Sequence, residues 1–360
     1  MLVDSKIVSF NILANRFTYY STQNHKTESE SLMRFRYKSI IDLLWGVQGD
    51  IYFLQEVDQH FYHLLRFSKF KNKFYISFAL CQPRNGEPNK DEIGLIIMVN
   101  KRQYYINKSL NSKINTPDDK KNCPLLKTRG EPSSFIGFNE LVVKDGQEIG
   151  NIKKLSQLLV IEKNHHSFIL INCHFEGRPD RQDLRIEQFK KCCHVAQDCI
   201  TKYDLDNRIL IGGDFNEPKE KDISKLYLPV IPFNFKLFNT KSDYTSNLRY
   251  QKNKETKKWE SINRTEKLDY LLGNDFFKIT QETLLPKVDI HNFPDWGKRF
   301  DTKIFTNLPK VTNWPSDHRL VSLLLEYNTD NCKSIKKTHN SSTRAKKTFK
   351  KNSSSHYQLL

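Results

Sequence analysis

ILIGGDFNEP, residues 209–218, is the stretch from which the fold of this chain can be read. Ile209, Leu210 and Ile211 place apolar side chains on both alternations of a short run, the pattern of a strand buried on both faces. Taken alone, the Gly, Asp, Asn and Pro that follow spell only a tight turn. An ionisable Asp214 at the end of such a run is costly in a core unless it is paired or meets a cation. The question is whether other runs end the same way.

They do. Similar β-rich runs recur at residues 6–13 (KIVSFNIL), 50–55 (DIYFLQ), 74–80, 93–99 (IGLIIMV), 155–162, 167–173 (SFILINC), 267–273 (KLDYLLG) and 319–327 (RLVSLLLEY). Asn11 sits inside the first, and Glu56 directly follows the second. His174 follows SFILINC, Asp214 and Asn216 follow the run at 209, Asp269 interrupts KLDYLLG, and Asp317 and His318 precede the last. Helical spacing separates some of these runs. Met33, Tyr37, Ile40, Ile41, Leu44 and Val47 share one face of a helix, with Arg34, Arg36 and Lys38 largely on others. A second helix is predicted from about Arg181 to Tyr203, with Leu184, Phe189, Cys192, Val195, Ala196 and Cys199 toward a sheet. Polar stretches at 83–92, 101–131, 249–266 and 286–313 read as loops. The alternation predicts an α/β protein.

Each polar interruption has an ordinary explanation by itself: an edge residue at Asn11, a helix cap at Glu56, a boundary histidine at His174, a backbone brace at Asp269. The ordered set asks for a common one, a single cleft at which the strand ends meet. Asn11, Glu56 and Asp317 offer hard oxygen atoms of the kind that hold Mg²⁺, with Mn²⁺ a substitute, whereas zinc would call for histidines and cysteines.

The pieces SFNIL, FLQEVD, ILINCHFEG, ILIGGDFNEP, KLDYLL and WPSDHRLVS, spread over residues 9–322, resemble the endonuclease/exonuclease/phosphatase superfamily of metal-dependent phosphodiesterases. That resemblance implies a four-layer α/β sandwich of two mixed β-sheets flanked by helices. It implies Glu56 as principal metal ligand, helped by Asn11 and Asp317, and Asp214 as the group that positions or deprotonates the attacking water. Asn216 and His174 would hold the phosphate, and His318, oriented by Asp269, would stabilise charge or carry a proton. SFNILANRF, the helix carrying RFRYKSII, and RPDRQDLRIEQFKKC are most similar to the nocturnin-like deadenylase branch, which adds Arg185 and Gln188 as substrate-binding residues. Two departures are the FEGRPD segment after His174 and a long insertion at 275–313.

The charge balance agrees with an anionic partner. Lys and Arg number 58 against 41 acids, a net charge of +17. Eight of the cations and none of the acids lie in residues 331–360, so +9 remains on the rest. The expected division is a catalytic domain over residues 1–327 and a basic, disordered tail over 328–360. The expected partner is nucleic acid, RNA favoured over DNA, with no membrane contact. Seven scattered cysteines do not form a disulfide framework, and MLVDSKIVSF is no signal peptide, so a reducing cytoplasmic or nuclear setting is expected. Consecutive Cys192, Cys193 and His194 point different ways on a helix and make a poor zinc site. DLDNR at 204–208 lacks the glycine and closing glutamate of a calcium loop. The functional expectation is an Mg²⁺-dependent 3′ to 5′ exoribonuclease with poly(A) as candidate substrate. A DNA endonuclease, a phosphatase of a small or lipid phosphate, or a non-catalytic nucleic-acid binding protein stand as alternatives.

Overall fold

The structure is a computed structural model that describes residues 2–20, 29–81, 93–114, 127–144, 147–228, 233–239, 245–252, 256, 258–285 and 316–328. Short helical turns aside, these form β1 (Leu2–Asn11), α1 (Glu30–Val47), β2 (Ile51–Asp58), α2 (Gln59–Arg66), α3 (Phe70–Lys73), β3 (Phe74–Cys81), β4 (Ile93–Asn100), β5 (Tyr105–Ile106), α4 (Lys108–Ile114), β6 (Lys127–Gly130), β7 (Ser134–Lys144), β8 (Gln147–Lys163) and β9 (His166–His174). There follow α5 (Gln182–Tyr203), β10 (Ile209–Asp214), β11 (Lys236–Leu237), β12 (Ser246–Lys252), β13 (Trp259–Glu266), β14 (Asp269–Gly273), β15 (Phe277–Leu285) and β16 (Leu320–Asn328).

Two mixed sheets result. The first runs β15-β16-β1-β2-β4-β3-β6, the second β11-β14-β10-β9-β8-β5 with β7 also paired to β8. Strand alternation sorts the apolar residues into layers. On one face of the first sheet Val8, Phe10, Leu54, Ile96 and Met98 pack against Tyr37, Ile40 and Leu44 of α1 and Phe61 and Leu65 of α2. Its other face supplies Ile7, Phe53, Ile97 and Val321, which meet Leu159, Leu170, Leu210 and Leu271 of the second sheet. The far face of the second sheet, through Ile169, Ile171, Ile209 and Ile211, packs on Phe189, Cys192, Cys193 and Ala196 of α5. The order is helix, sheet, sheet, helix, as expected.

Each sheet contains one parallel pair joined by a covering helix: β1-α1-β2 and β9-α5-β10. Such crossovers return the chain to the same edge, so the carboxyl ends of all four strands gather at one pole. Ser29 caps α1 by accepting the Leu32 N–H, and Asp58 caps α2 by accepting the Phe61 N–H at 2.8 Å. No helix among the described residues is long and apolar enough to cross a membrane.

Four expectations need correction. Residues 101–131 contain β5, α4 and β6, and 249–266 contain most of the β12–β13 hairpin, whose lysines and glutamates hide the strand pattern. The region read as an insertion begins with β15, an edge strand of the first sheet whose exposed Lys278, Thr280 and Gln281 carry little apolar signal. Arg36 is buried, not on an outer face of α1, and donates to the Ile12 carbonyl at 2.9 Å. The loop at 83–92, the whole of 286–313 and the basic tail after residue 328 lie outside the described residues.

Candidate active site

At the pole where the strand ends meet, backbone distortion places the acids. The β2–β4 ladder runs in register to Leu54↔Ile96 and resumes at Val57↔Gly94, so Gln55 and Glu56 together face one residue. At this bulge Glu56 adopts φ +55°, the left-handed region that a side chain of its size rarely occupies. On the other sheet, β10 delivers Asp214 through two glycines. A Cβ at Gly213, where φ is +136°, would lie 2.0 Å from the Cys173 carbonyl oxygen. One at Gly212 would lie 2.2 Å from Leu271 and 2.9 Å from Phe53 of the facing sheet. Those glycines let β10 approach both neighbours, and the register then sets Asp214 beside His174 on one side and Asp269 on the other.

The side chains converge. The Asn11 amide nitrogen donates to Glu56 Oε1 at 3.0 Å and to Asp214 Oδ2 at 3.1 Å, joining the two sheets. His174 Nε2 lies 3.8 Å from Glu56 Oε1 and 3.9 Å from Asp214 Oδ2. His318 Nδ1 is 2.8 Å from Asp269 Oδ2, and its Nε2 faces Asp214 Oδ2 at 3.8 Å and Asp317 Oδ1 at 4.0 Å. Asn216, at φ +51°, donates its backbone N–H to Asp214 Oδ1 and its amide to the Phe175 carbonyl. Ser316 explains the serine of the SDH triplet: its hydroxyl donates to the Asn11 carbonyl at 2.7 Å and accepts the His318 N–H. The start of β16 is thereby fastened to the end of β1.

Burial raises the pKa of Glu56, with the Asp317 charge adding to it. Burial likewise pushes Asp214 up to about 7, against the pull of His318 and with help from Asp269. Asp317 is raised for the same reason, opposed by His318 and by Arg36. Burial disfavours the imidazolium of His318, but Asp269, Asp317 and Asp214 outweigh it and hold the group well above the usual histidine value. Buried carboxylates in this number, balanced by so few cations, fit a divalent cation, and the oxygen donors fit a hard one. Glu56, His174 and Asp214, and separately Asp214, Asp269 and His318, each bring ligand atoms within 4.8 Å of one another. Asn11 enters differently from expectation. Its oxygen accepts the Leu13 N–H, so its amide nitrogen faces the carboxylates and holds them together.

Arg185 and Gln188 also differ from expectation. Arg185 is buried in α5, where its guanidinium donates to the carbonyls of Glu176, Arg178 and Pro179 and pairs with Glu217 at 3.3 Å. Gln188 accepts the Glu176 N–H. Both are buried and brace the FEGRPD loop, whose Gly177 runs beside Asn216. Several participants were not foreseen. Thr245 accepts the N–H groups of Leu268 and Asp269 and gives its carbonyl to the Arg319 N–H, flanking the His318–Asp269 pair. Asn239 holds the Asp269 carbonyl and the Leu271 N–H. Gln55 and Asn172, both wholly buried, bond each other between the sheets. As polar residues inside apolar runs, these last two carried the same signal that singled out Asn11.

No family model matches the chain, and no curated protein does. Among solved structures, ANGEL2, described as a 2′,3′-cyclic phosphatase and solved with adenosine-2′,3′-vanadate, is 13% identical at a TM-score of 0.58, covering 91% of this chain and 96% of that one. The human nocturnin catalytic domain with bound sulfate is 14% identical, TM-score 0.54, covering 91% and 97%. An endonuclease/exonuclease/phosphatase from Bacteroides vulgatus is 13% identical, TM-score 0.52, covering 91% and 100%. At these identities the likeness establishes the fold: the chain has the endonuclease/exonuclease/phosphatase architecture.

Proposed function

We propose that this protein is a divalent-metal-dependent phosphodiesterase acting on RNA, with Mg²⁺ as the working ion and 3′ to 5′ exonucleolytic trimming as the reaction. The observation that carries the reading is the meeting of Glu56, Asp214, Asp317 and the His318–Asp269 pair, drawn from both sheets, within a few ångströms of one another. Glu56 and Asp317 would hold the ion, which when bound neutralises phosphate charge and lowers the pKa of a coordinated water.

The chain's own groups account for the rest. Asp214, poised at about 7, is suited to orient and deprotonate a water near neutral pH. His318, kept protonated by Asp269, donates to the oxygens that gain charge as phosphorus becomes five-coordinate. His174 and Asn216 stand at the carboxyl ends of β9 and β10, where they can grip the same phosphate. The excess of cations, +17 overall, supports a polyanionic substrate.

The test is a substrate panel: 5′-labelled oligo(A), mixed-sequence RNA, RNA ending in a 2′,3′-cyclic phosphate, duplex DNA and abasic DNA, each with Mg²⁺ or EDTA. A 3′-shortening ladder from RNA in Mg²⁺ alone is the expected result. Removal of the cyclic phosphate without shortening would make the protein an RNA-end phosphatase. Internal cuts in duplex DNA would make it a DNA endonuclease, and inertness on all five would leave a small or lipid phosphate as substrate, or binding without turnover.

A further inference from the structure

The bulge that presents Glu56 is held from the opposite sheet. Asn172 lies in β9, two residues before His174, and is wholly buried between the sheets. Its side chain does not pack there as an apolar residue would. The amide nitrogen donates to the Leu54 carbonyl and to the Ile96 carbonyl, both at 2.9 Å. Leu54 and Ile96 are the last partners before the β2–β4 register shifts. One amide from β9 thus spans the two strands where their own ladder breaks. Its oxygen accepts from Gln55 at 2.8 Å, and Gln55 is the other residue of the bulge, reaching on toward the Ser9 hydroxyl at 3.4 Å.

We propose that Asn172 is the positioning residue of the site, the latch that fixes the bulge in the form where Glu56 can occupy φ +55° and face Asp214. This rests on the reading of Glu56 as a metal ligand and deepens it. Physically, a bulged strand between apolar layers has few ways to satisfy its carbonyls, and an unsatisfied buried carbonyl is costly. A donor amide arriving from the facing sheet selects the one backbone arrangement in which Leu54, Ile96 and Gln55 are all served. It also ties β9, which carries His174, to β2, which carries Glu56, so the two halves of the site keep their spacing. An aliphatic side chain of similar size would fill the same volume and serve none of these groups.

The experiment compares Asn172→Leu with Leu170→Ala, a change two residues away on the same strand that thins the inter-sheet core without touching the latch. Hydrogen exchange is followed on residues 54–58 in the metal-free protein, and Mn²⁺ affinity is measured by the loss of the free-ion EPR signal. In Asn172→Leu, exchange at 54–58 should rise at least tenfold relative to the rest of the sheet, and Mn²⁺ should bind at least tenfold more weakly. Leu170→Ala should lower the melting temperature while leaving both readouts near wild type. Should Asn172→Leu not fold, Gln55→Met removes the bond to the Asn172 oxygen, together with the longer one to the Ser9 hydroxyl, while leaving the Asn172 amide on Leu54 and Ile96, and should move both readouts the same way by a smaller factor. Wild-type protection at 54–58 in whichever variant folds overturns the inference. Wild-type protein that takes up no Mn²⁺ overturns the reading of the site as a metal centre, and the exchange data still decide the latch.

Discussion

The two parallel units of the sandwich, β1-α1-β2 and β9-α5-β10, solve one problem in opposite ways. Each must end a fully buried strand on a carboxylate aimed into the same cleft. The second unit does so with glycine: Gly212 and Gly213 remove the Cβ atoms that would collide with Phe53, Leu271 and the Cys173 carbonyl, and Asp214 stays in register. The first unit has no glycine there. It breaks register and holds a glutamate in the left-handed region, a conformation that costs about 1–3 kcal/mol and persists only where surroundings enforce it. The glycine solution costs extra chain entropy on folding, and the glutamate solution stores strain in the folded state.

The sharpest way to break the comparison is to remove the acids. Glu56→Ala and His318→Ala should each lower single-turnover cleavage of labelled oligo(A) by about a thousandfold or more while circular dichroism stays native. Near-normal rates in either would sink the assignment. Next in size is the support behind the glycine unit. Arg185→Ala leaves Glu217 buried without its charge partner and should destabilise the protein by about 3–5 kcal/mol in urea titrations. A folded, equally stable variant with only a raised KM would instead return Arg185 to the role of substrate contact.

Gly213→Ala should cost about 3 kcal/mol, since both φ and the Cys173 carbonyl forbid a Cβ. At the mirror position the sign reverses: Glu56→Gly should raise metal-free stability by about 1 kcal/mol by relieving strain, although it abolishes activity. Loss of stability there would show that the bulge is unstrained.

The smallest effect is electrostatic. An aspartate whose folded-state pKa is raised keeps its proton after the unfolded chain has released it, so its contribution to stability falls as pH climbs from about 4 to about 7 for Asp214. His318, raised well above its usual value, acts in the same direction at higher pH: its stabilisation is full below the unfolded histidine value and is lost as pH rises through the folded one. The melting temperature of the metal-free protein should therefore drop between pH 4 and pH 7, Asp214→Asn should flatten that drop, and added Mg²⁺ should raise the melting temperature more at pH 7 than at pH 5. A metal-induced shift independent of pH would contradict the picture of carboxylates crowded without compensation.

Much of the architecture was legible because buried strands write their pattern plainly. Ile209, Leu210 and Ile211 are apolar on both alternations, and α1 repeats its apolar residues at helical spacing. What escaped is what lies at edges. The β12–β13 hairpin is built from a stretch rich in lysine, glutamate and asparagine, and β15 turns a polar face to solvent, so no apolar period marks them. At the site, Asn11, Glu56, His174, Asp214, Asn216, Asp269, Asp317 and His318 stood out as polar residues at strand ends. Arg185 and Arg36 misled because charge on an amphipathic helix ordinarily faces water, whereas here the guanidinium groups find backbone carbonyls inside.

By itself the sequence determined the class of fold and the roster of polar residues at strand termini, because alternation and burial cost are properties of local chain. Only the tertiary structure decided which of those residues face one another, how Asn11 turns its amide, and that Asn172 bonds the strands at the bulge that carries Glu56. Those facts depend on register, on a bulge and on the meeting of two sheets, contacts between residues more than a hundred positions apart that no local pattern encodes.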